Sequence, residues 1–253
     1  MKKYIGAVVI TVFFLIWELS GRFGLIDTQF VPMFSTVIGE ALSMIRSGNL
    51  FIHILVSLMR LFMGIAIAVS VALPLGFLLA GWAPGLSAFL NPLFMNLSML
   101  NPFTLIPVFM LLLGMGEVSK IGLIFWVTLW PALFSAIAGV KGLDPVLLKA
   151  ARAMGAGGVK IFFSIILPGS VNRIFTGIRS CITLGFTVLV GAEMIGSKTG
   201  LGFIVFTSNK NYNIPRMYVG ILMIAVTGAL VNMAIEKLQK RIVVWEESAD
   251  NAA

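Results

Sequence analysis

The sequence predicts an all-α polytopic membrane protein with six transmembrane helices. Of its 253 residues, 59% are apolar and only 11% are charged, and the mean hydropathy is +1.03. A soluble domain usually carries about 25% charged residues. Surface-to-volume scaling prevents a soluble chain of this length from hiding so much apolar surface. A lipid environment removes that difficulty.

Six apolar runs have the length of about 20 residues that a spanning helix needs. They lie at roughly 4–20, 54–80, 89–113, 120–140, 174–195 and 216–235. The fourth is the clearest, because 121–140 contains no charge. The basic start before the first run resembles a signal peptide, but no small-residue cleavage site follows it, so we expect an uncleaved first span. Residues 1–253 are therefore expected to form a single transmembrane domain.

The charges in the loops predict the orientation, since cytoplasmic loops are enriched in Lys and Arg. Segment 141–179 carries six basic residues against Asp144 alone, and the tail 236–253 has three more next to the last span. Loop 21–53 is more balanced. We therefore expect both termini in the cytoplasm. The net charge of +8 is explained by these loops, and no basic, aromatic-interleaved face indicates nucleic-acid binding.

Two segments outside the spans have their own patterns. The external loop 21–53 predicts an amphipathic helix that Ser35 caps, with one apolar face formed by Val37, Ile38, Ala41, Leu42 and Ile45. Segment 196–215 is rich in Gly, Ser, Asn and Lys. This composition predicts an irregular external or re-entrant segment.

A short helix with marked ends is predicted between spans four and five, at 144–155. Asp144 suits the N-cap, Pro145 the first helical position, and Gly155 the C′ position. Its helical spacing places four side chains on one face: Leu147, Ala150, Ala151 and Met154. Lys149 and Arg152 lie on another side. The small alanines favour contact with a partner, although such a helix could also lie on the bilayer without one.

The same segment resembles the signature of bacterial ABC importer permeases, the EAA motif. That motif runs Glu-Ala-Ala, three residues, Gly, nine residues, Ile, one residue, Leu-Pro. Here its positions are Ala150-Ala151, Gly155, Ile165 and Leu167-Pro168, while Lys149 replaces the usual Glu. Further similarity to the nitrate/sulfonate/taurine branch of these binding-protein-dependent permeases lies at 57–60, Pro74-Leu75-Gly76, Ile106-Pro107, Arg179, Ala192-Glu193 and Gly200-Leu201-Gly202.

The resemblance implies a homodimer of six-span subunits in the bacterial cytoplasmic (inner) membrane. It implies that a coupling helix at 144–155 docks on one of two cytoplasmic ATPase subunits, which bind ATP-Mg. It also implies that an extracytoplasmic binding protein delivers a small solute. An anion such as a sulfonate, taurine, nitrate or bicarbonate is favoured, although related permeases also move vitamin precursors and aromatic compounds. The implied coupling residues are Asp144, Leu147, Lys149, Ala150, Ala151, Arg152, Met154, Gly155, Ile165 and Pro168. The chain itself is expected to bind no cofactor and to be no enzyme, since it lacks the GxxxxGK[ST] run of a P-loop.

Other classes of function are less well supported. An ion-coupled carrier or channel is the main alternative, but such carriers place carboxylates inside their spans. The acids here, Glu18, Glu117 and Glu193, lie near predicted span ends. A membrane enzyme would need paired acids, a His cluster or a nucleophile with its base, and the sequence offers none of these sets.

The third span contains two X-Pro steps, Asn101-Pro102 and Ile106-Pro107, which remove backbone donors partway along it. Freed carbonyls at that depth must face protein or water, so this segment lines the pathway or forms a packed kink. Candidate pathway residues are Ser98, Asn101, Pro102, Thr104, Pro107, Met110, Gly185 and Thr187. Arg60, Arg179 and Glu193 are candidates for a gate or for ion pairs.

Overall fold

The computed structural model describes residues 2–242, and every regular element in that range is helical. The helices in chain order are α1 (Lys2–Arg22), α2 (Phe34–Arg46), α3 (Asn49–Gly81), α4 (Pro84–Ser98), α5 (Pro102–Leu113), α6 (Glu117–Lys141), α7 (Pro145–Ala153), α8 (Gly158–Ile161), α9 (Leu167–Gly196), α10 (Leu201–Lys210) and α11 (Ile214–Ile242). A π-helical turn, Phe162–Ile166, joins α8 to α9. The all-α class predicted from the sequence is confirmed.

Four helices of the described chain are long and apolar enough to cross a bilayer. They are α3, α6, α11 and the continuous run Gly158–Gly196 that α8 and α9 share. The pair α4 and α5 passes the same test as one broken span, which raises the number to five. The first predicted span, 4–20, lies within α1, whose opening side chains are outside the described part. Residues 243–253 of the predicted tail also lie outside it.

The predicted third span is bent by 90° between α4 and α5. The bend falls at 99–101, where Asn101 accepts a hydrogen bond from the Phe103 N–H and Pro102 occupies the first turn of α5. Helix α5 continues through Pro107. The second X-Pro step therefore removes the donor that would bond to the Phe103 carbonyl without ending the helix.

The amphipathic helix of loop 21–53 exists as α2, but two of its predicted details are wrong. Met33 is the N-cap residue, and Ser35 lies inside the first turn, where its N–H donates to Glu18 over 3.0 Å. The buried side chains of α2 are Val37 and Met44. Ile38, Leu42 and Ile45 are exposed instead, because burial follows the i, i+7 line through Val37 rather than the whole apolar arc.

Segment 196–215 is mostly helical rather than irregular. The ten-residue α10 occupies its centre, and irregular backbone is confined to 197–200 and 211–213. The prediction failed because Gly, Ser and Asn disfavour helix locally, whereas the bonds that fix α10 come from residues distant in sequence.

The chain forms two compact units. One contains the chain up to Leu58 together with Val190–Thr227, and the other contains Met59–Leu189 together with the chain from Gly228. In the first unit, Trp17 donates to the Pro32 carbonyl over 3.0 Å and packs its ring against Phe34 and Tyr218. These contacts connect α1, α2 and α11.

The second unit is built on close packing of α3, α6 and α9 through small residues. A Cβ at Gly64 of α3 would lie 2.5 Å from Cγ2 of Ile124 on α6, and one at Gly177 of α9 would lie 2.0 Å from Oγ of Ser135. Helices in a membrane associate by such close approach, because lipid supplies no hydrophobic drive between them. This packing holds α6 and α9, the long helices on either side of α7 in the chain.

Candidate functional site

Helix α7 is bounded by capping interactions within its own segment. The Asp144 carboxylate accepts a hydrogen bond from the Val146 N–H over 2.8 Å, and Pro145 begins the helix. At the other end, Gly155 has φ +78° and its N–H donates to Arg152 O, while the Ala156 N–H donates to Ala151 O, both over 3.0 Å. These two bonds form a Schellman motif. The predicted caps of this helix are confirmed.

A groove of about 400 Å³ lies between α7 and the start of α9. Helix α7 contributes one wall, and the π-helical turn with the start of α9 contributes the other: Leu147, Ala150, Ala151, Met154, Ser164, Ile165, Pro168 and Gly169. Six of the ten predicted coupling residues therefore meet in one groove. Ala151 is buried at its base, whereas Leu147 and Met154 are 56% and 81% exposed. Two large apolar side chains are thus left uncovered at the groove.

The four remaining predicted coupling residues do not line this groove. Asp144 and Gly155 cap the helix, and Lys149 is exposed outside the groove. Arg152 lines a second cavity of about 820 Å³, whose walls are otherwise mainly apolar side chains of α3, α8 and the π-helical turn. Within it, the ring of Phe77 packs edge-on against Phe162.

The π-helical turn in the groove wall was not predicted from the sequence. The N–H of Leu167 donates to the carbonyl of Phe162, five residues earlier. Pro168 explains why the turn lies here, because it has no N–H and its ring crowds the carbonyl four residues before it. Single π-helical turns inside α-helices occur frequently at functional sites. The Leu-Pro step of the motif was the sequence signal for this feature.

A buried polar cluster in the first unit surrounds Glu193, whose side chain is fully buried near the end of α9. Its Oε1 accepts from Ser57 Oγ over 2.7 Å and its Oε2 accepts from the Gly202 N–H over 2.9 Å. Ser57 Oγ in turn accepts from the Leu201 N–H, and His53 Nδ1 accepts from the Gly200 N–H. Three consecutive backbone donors at the start of α10 are therefore satisfied by α3 and α9.

Gly200 is the residue that this cluster requires most strictly. Its φ is +124°, and a Cβ there would lie 2.3 Å from Cδ of Glu193. An L side chain would therefore be strained by its backbone and would displace the carboxylate. Glu193 and Gly200-Leu201-Gly202 stand out in the sequence, but their bonds to Ser57 and His53 were not predicted, because those residues lie more than 130 positions away in the chain.

The two arginines named from the sequence form ion pairs in the second unit. Arg60 is 2% exposed and donates from Nη2 to Oε1 of Glu117 over 2.8 Å, and the buried Lys120 lies 3.4 Å from the same oxygen. Arg179 donates to Glu236 over 2.9 Å. These partners hold the ends of α6 and α11 against α3 and α9.

The polar residues predicted along the pathway are bonded locally. Ser98 Oγ donates to Met95 O, and Thr104 Oγ1 donates to Asn101 O, on either side of the bend. Thr187 is exposed on α9. Gly185 is buried, and a Cβ there would lie 3.0 Å from Cγ2 of Thr128, so it serves close helix packing. Pro102 and Met110 are partly exposed.

Known proteins resemble this chain over most of its length. The family described as "Binding-protein-dependent transport system inner membrane component" matches residues 72–244. The taurine transport system permease protein TauC of Escherichia coli (strain K12) is 30% identical over 241 residues, which are 93% of this chain and 87% of that protein.

Two further similarities agree with this family. The bicarbonate transport system permease protein CmpB of Synechocystis sp. is 30% identical over 195 residues, or 77% of this chain and 69% of that protein. A solved structure of the MetNI methionine ABC transporter in an inward-facing conformation is similar in fold, with a TM-score of 0.67 at 17% identity, covering 78% of this chain and 98% of that chain.

The family match extends over α7, its groove and the Glu193 cluster's α9 and α10 residues. The chain thus belongs to the inner membrane components of binding-protein-dependent transport systems, as an ABC importer permease of the nitrate, sulfonate and taurine branch.

Proposed function

We propose that this chain forms half of a homodimeric translocation pathway and that α7 couples it to a separate ATPase. The groove between α7 and α9 carries the proposal, because its exposed Leu147 and Met154 lie where a partner's side chain could enter. Exposed apolar side chains rimmed by polar ones are typical of interaction sites. Two cytoplasmic ATPase subunits would hold ATP-Mg, one on each copy of the groove.

The proposed topology has six spans. The helices α3, α6, α8–α9 and α11 and the bent pair α4–α5 supply five of them. We add α1 as the sixth because it coincides with the apolar run 4–20. With both termini in the cytoplasm, α7 lies on the cytoplasmic side and α10 on the outer side. The basic excess of 141–179 supports this orientation.

The proposed substrate is a small organic or inorganic anion that an extracytoplasmic binding protein delivers. Relatives are named for taurine, aliphatic sulfonates and bicarbonate. Along the bend between α4 and α5, Ser98, Asn101, Thr104 and Met110 are the proposed pathway residues, since a break exposes backbone that must face water or protein.

The buried carboxylate of Glu193 also supports an ATP-driven mechanism over ion coupling. An ion-coupled carrier usually places a carboxylate inside its spans, facing a water-filled path for the ion. Both Glu193 oxygens accept hydrogen bonds within the protein, and the side chain is fully buried. Glu193 is thus a structural acceptor in this state.

The test removes the two exposed apolar side chains of the groove. L147S/M154S should lower ATP-driven uptake in proteoliposomes at least about tenfold, because a few well-packed side chains carry most of the binding energy of an interface. Its melting temperature should stay unchanged, since both side chains are exposed. The control is V146S, on the same helix, where the side chain is 67% exposed and lies outside the groove. Equal uptake in both variants would contradict the proposal.

A further inference from the structure

A small cavity lies in the first unit, beside the turn that joins α10 to α11. Its volume is about 160 Å³. Six polar side chains from α3, α10, the connecting turn and the start of α11 line it, together with Phe203 and Ile204: His53, Thr207, Ser208, Asn211, Asn213 and Arg216. No carboxylate is among them. The lining therefore offers hydroxyl, amide and guanidinium donors together with one imidazole.

Arg216 gives the cavity its charge. Its side chain is partly buried, and it forms no ion pair with any acid between residues 2 and 242. Its backbone N–H donates to Asn213 Oδ1 over 3.2 Å, which directs the Asn213 acceptor to the main chain. The other two arginines singled out from the sequence, Arg60 and Arg179, both have a carboxylate partner. A guanidinium in a polar cavity without a carboxylate is suited to an external oxyanion.

The turn beside the cavity carries a second unusual feature. Helix α10 ends in a Schellman motif, in which the Tyr212 N–H donates to Asn209 O and the Asn213 N–H donates to Ser208 O. The C′ residue of this motif is usually Gly, but here it is Tyr212 with φ +54°. A bulky residue in this region is a rare outlier. Tyr212 is 89% exposed; its neighbours Asn211 and Asn213 line the cavity, whereas Tyr212 itself does not.

We propose that this cavity is an oxyanion subsite on the outer side of the membrane, with Arg216 as its principal ligand. The outer placement rests on the proposed function. The volume suits one carboxylate or sulfonate group. That group has two possible sources: the free transported anion, or an acidic side chain of the binding protein that docks here.

The test compares R216Q with K210Q in the complex with its ATPase subunits. Lys210 is an exposed cation at the end of α10 that does not line the cavity, so K210Q controls for the loss of charge. R216K keeps the positive charge and should therefore retain most of the native binding in whichever arm R216Q weakens it. In the first arm, ethanesulfonate is titrated by calorimetry. If the free anion is the ligand, R216Q should bind about tenfold more weakly than K210Q.

The second arm measures the binding-protein concentration that half-maximally stimulates ATP hydrolysis. If the ligand is an acidic side chain of that protein, R216Q should raise this concentration about tenfold, and ethanesulfonate should give no saturable heat. The subsite is refuted if R216Q and K210Q behave alike in both arms. If the native chain supports no stimulated ATP hydrolysis, the proposed function fails, and the ethanesulfonate titration alone decides on the subsite.

Discussion

Two short helices, α7 and α10, end in the same way and begin differently. Both are followed by a Schellman motif, with Gly155 at C′ in one and Tyr212 in the other. The start of α7 is capped by Asp144, two residues before the N–H it accepts from. The start of α10 is bonded by His53, Ser57 and Glu193, which belong to other helices.

The difference indicates different mechanical roles. Helix α7 is held by local bonds and leaves large apolar side chains exposed, as expected for the partner-binding role that we propose for it. Helix α10 is fixed by a buried network whose members lose their partners if one is removed. Variants that disturb α10 should therefore lower the stability of the whole protein, whereas variants that disturb α7 should loosen only that helix. Three substitutions test this, from the largest expected effect to the smallest.

The largest effect is expected for E193A. The substitution leaves Ser57 Oγ and the Gly202 N–H without their buried acceptor, which should cost about 3 kcal/mol of unfolding free energy. Thermal unfolding in detergent measures the loss. The control E40A removes a partly exposed carboxylate of α2 and should change stability by about 0.5 kcal/mol or less.

A double-mutant cycle sharpens this prediction. Because Ser57 and Glu193 share one hydrogen-bond network, the losses in S57A and E193A should sum to more than the loss in S57A/E193A. Strictly additive losses would show that the network is not cooperative, and the contrast between α10 and α7 would then disappear.

A smaller effect is expected for G200A, about 2 kcal/mol of destabilisation. The new Cβ meets the Glu193 carboxylate, and its backbone has a positive φ. The control is G39A in α2, where a Cβ meets open space. That change should be neutral or stabilise by up to about 1 kcal/mol. Equal melting temperatures for the two variants would argue against the strain assigned to Gly200.

The smallest effect is expected for D144A, which removes the N-cap of α7. Loss of such a cap costs about 1 kcal/mol, so amide exchange of 146–153 should accelerate about fivefold while the global unfolding temperature hardly changes. D144N keeps an acceptor of similar capping strength and should exchange like the native protein. If D144A lowered global stability as much as G200A, the claim that α7 is stabilised mainly by bonds within its own segment would be wrong.

The same contrast explains which features could be predicted from the sequence. The ends of α7 were predicted because Asp144, Pro145 and Gly155 act within a few residues of the bonds they control. The spans at α3, α6, α9 and α11 were predicted because hydropathy is a local sum. The packing of these helices and the 90° bend depend on tertiary contacts. Of the bend, the sequence indicated only the position, through the Asn101-Pro102 step.

The features that sequence reasoning missed are long-range ones. Helix α10 was expected to be irregular, because the acceptors for its first donors lie on α3 and α9. The buried face of α2 was assigned too broadly, since Val37 and Met44 are selected by packing rather than by the apolar arc alone. The groove that Leu147 forms with Ile165 and Pro168 was not predicted, because its second wall includes the π-helical turn.

The central claim is that the groove beside α7 receives a separate ATPase, and photo-crosslinking tests it most directly. A benzophenone amino acid is placed at Met154, at the groove, and in a second variant at Met115, between α5 and α6; both side chains are 81% exposed. In membranes that contain the assembled complex, the probe at 154 should yield an adduct with the ATPase subunit and the probe at 115 should not. Adducts of equal yield at both positions, or none at 154, would contradict the account.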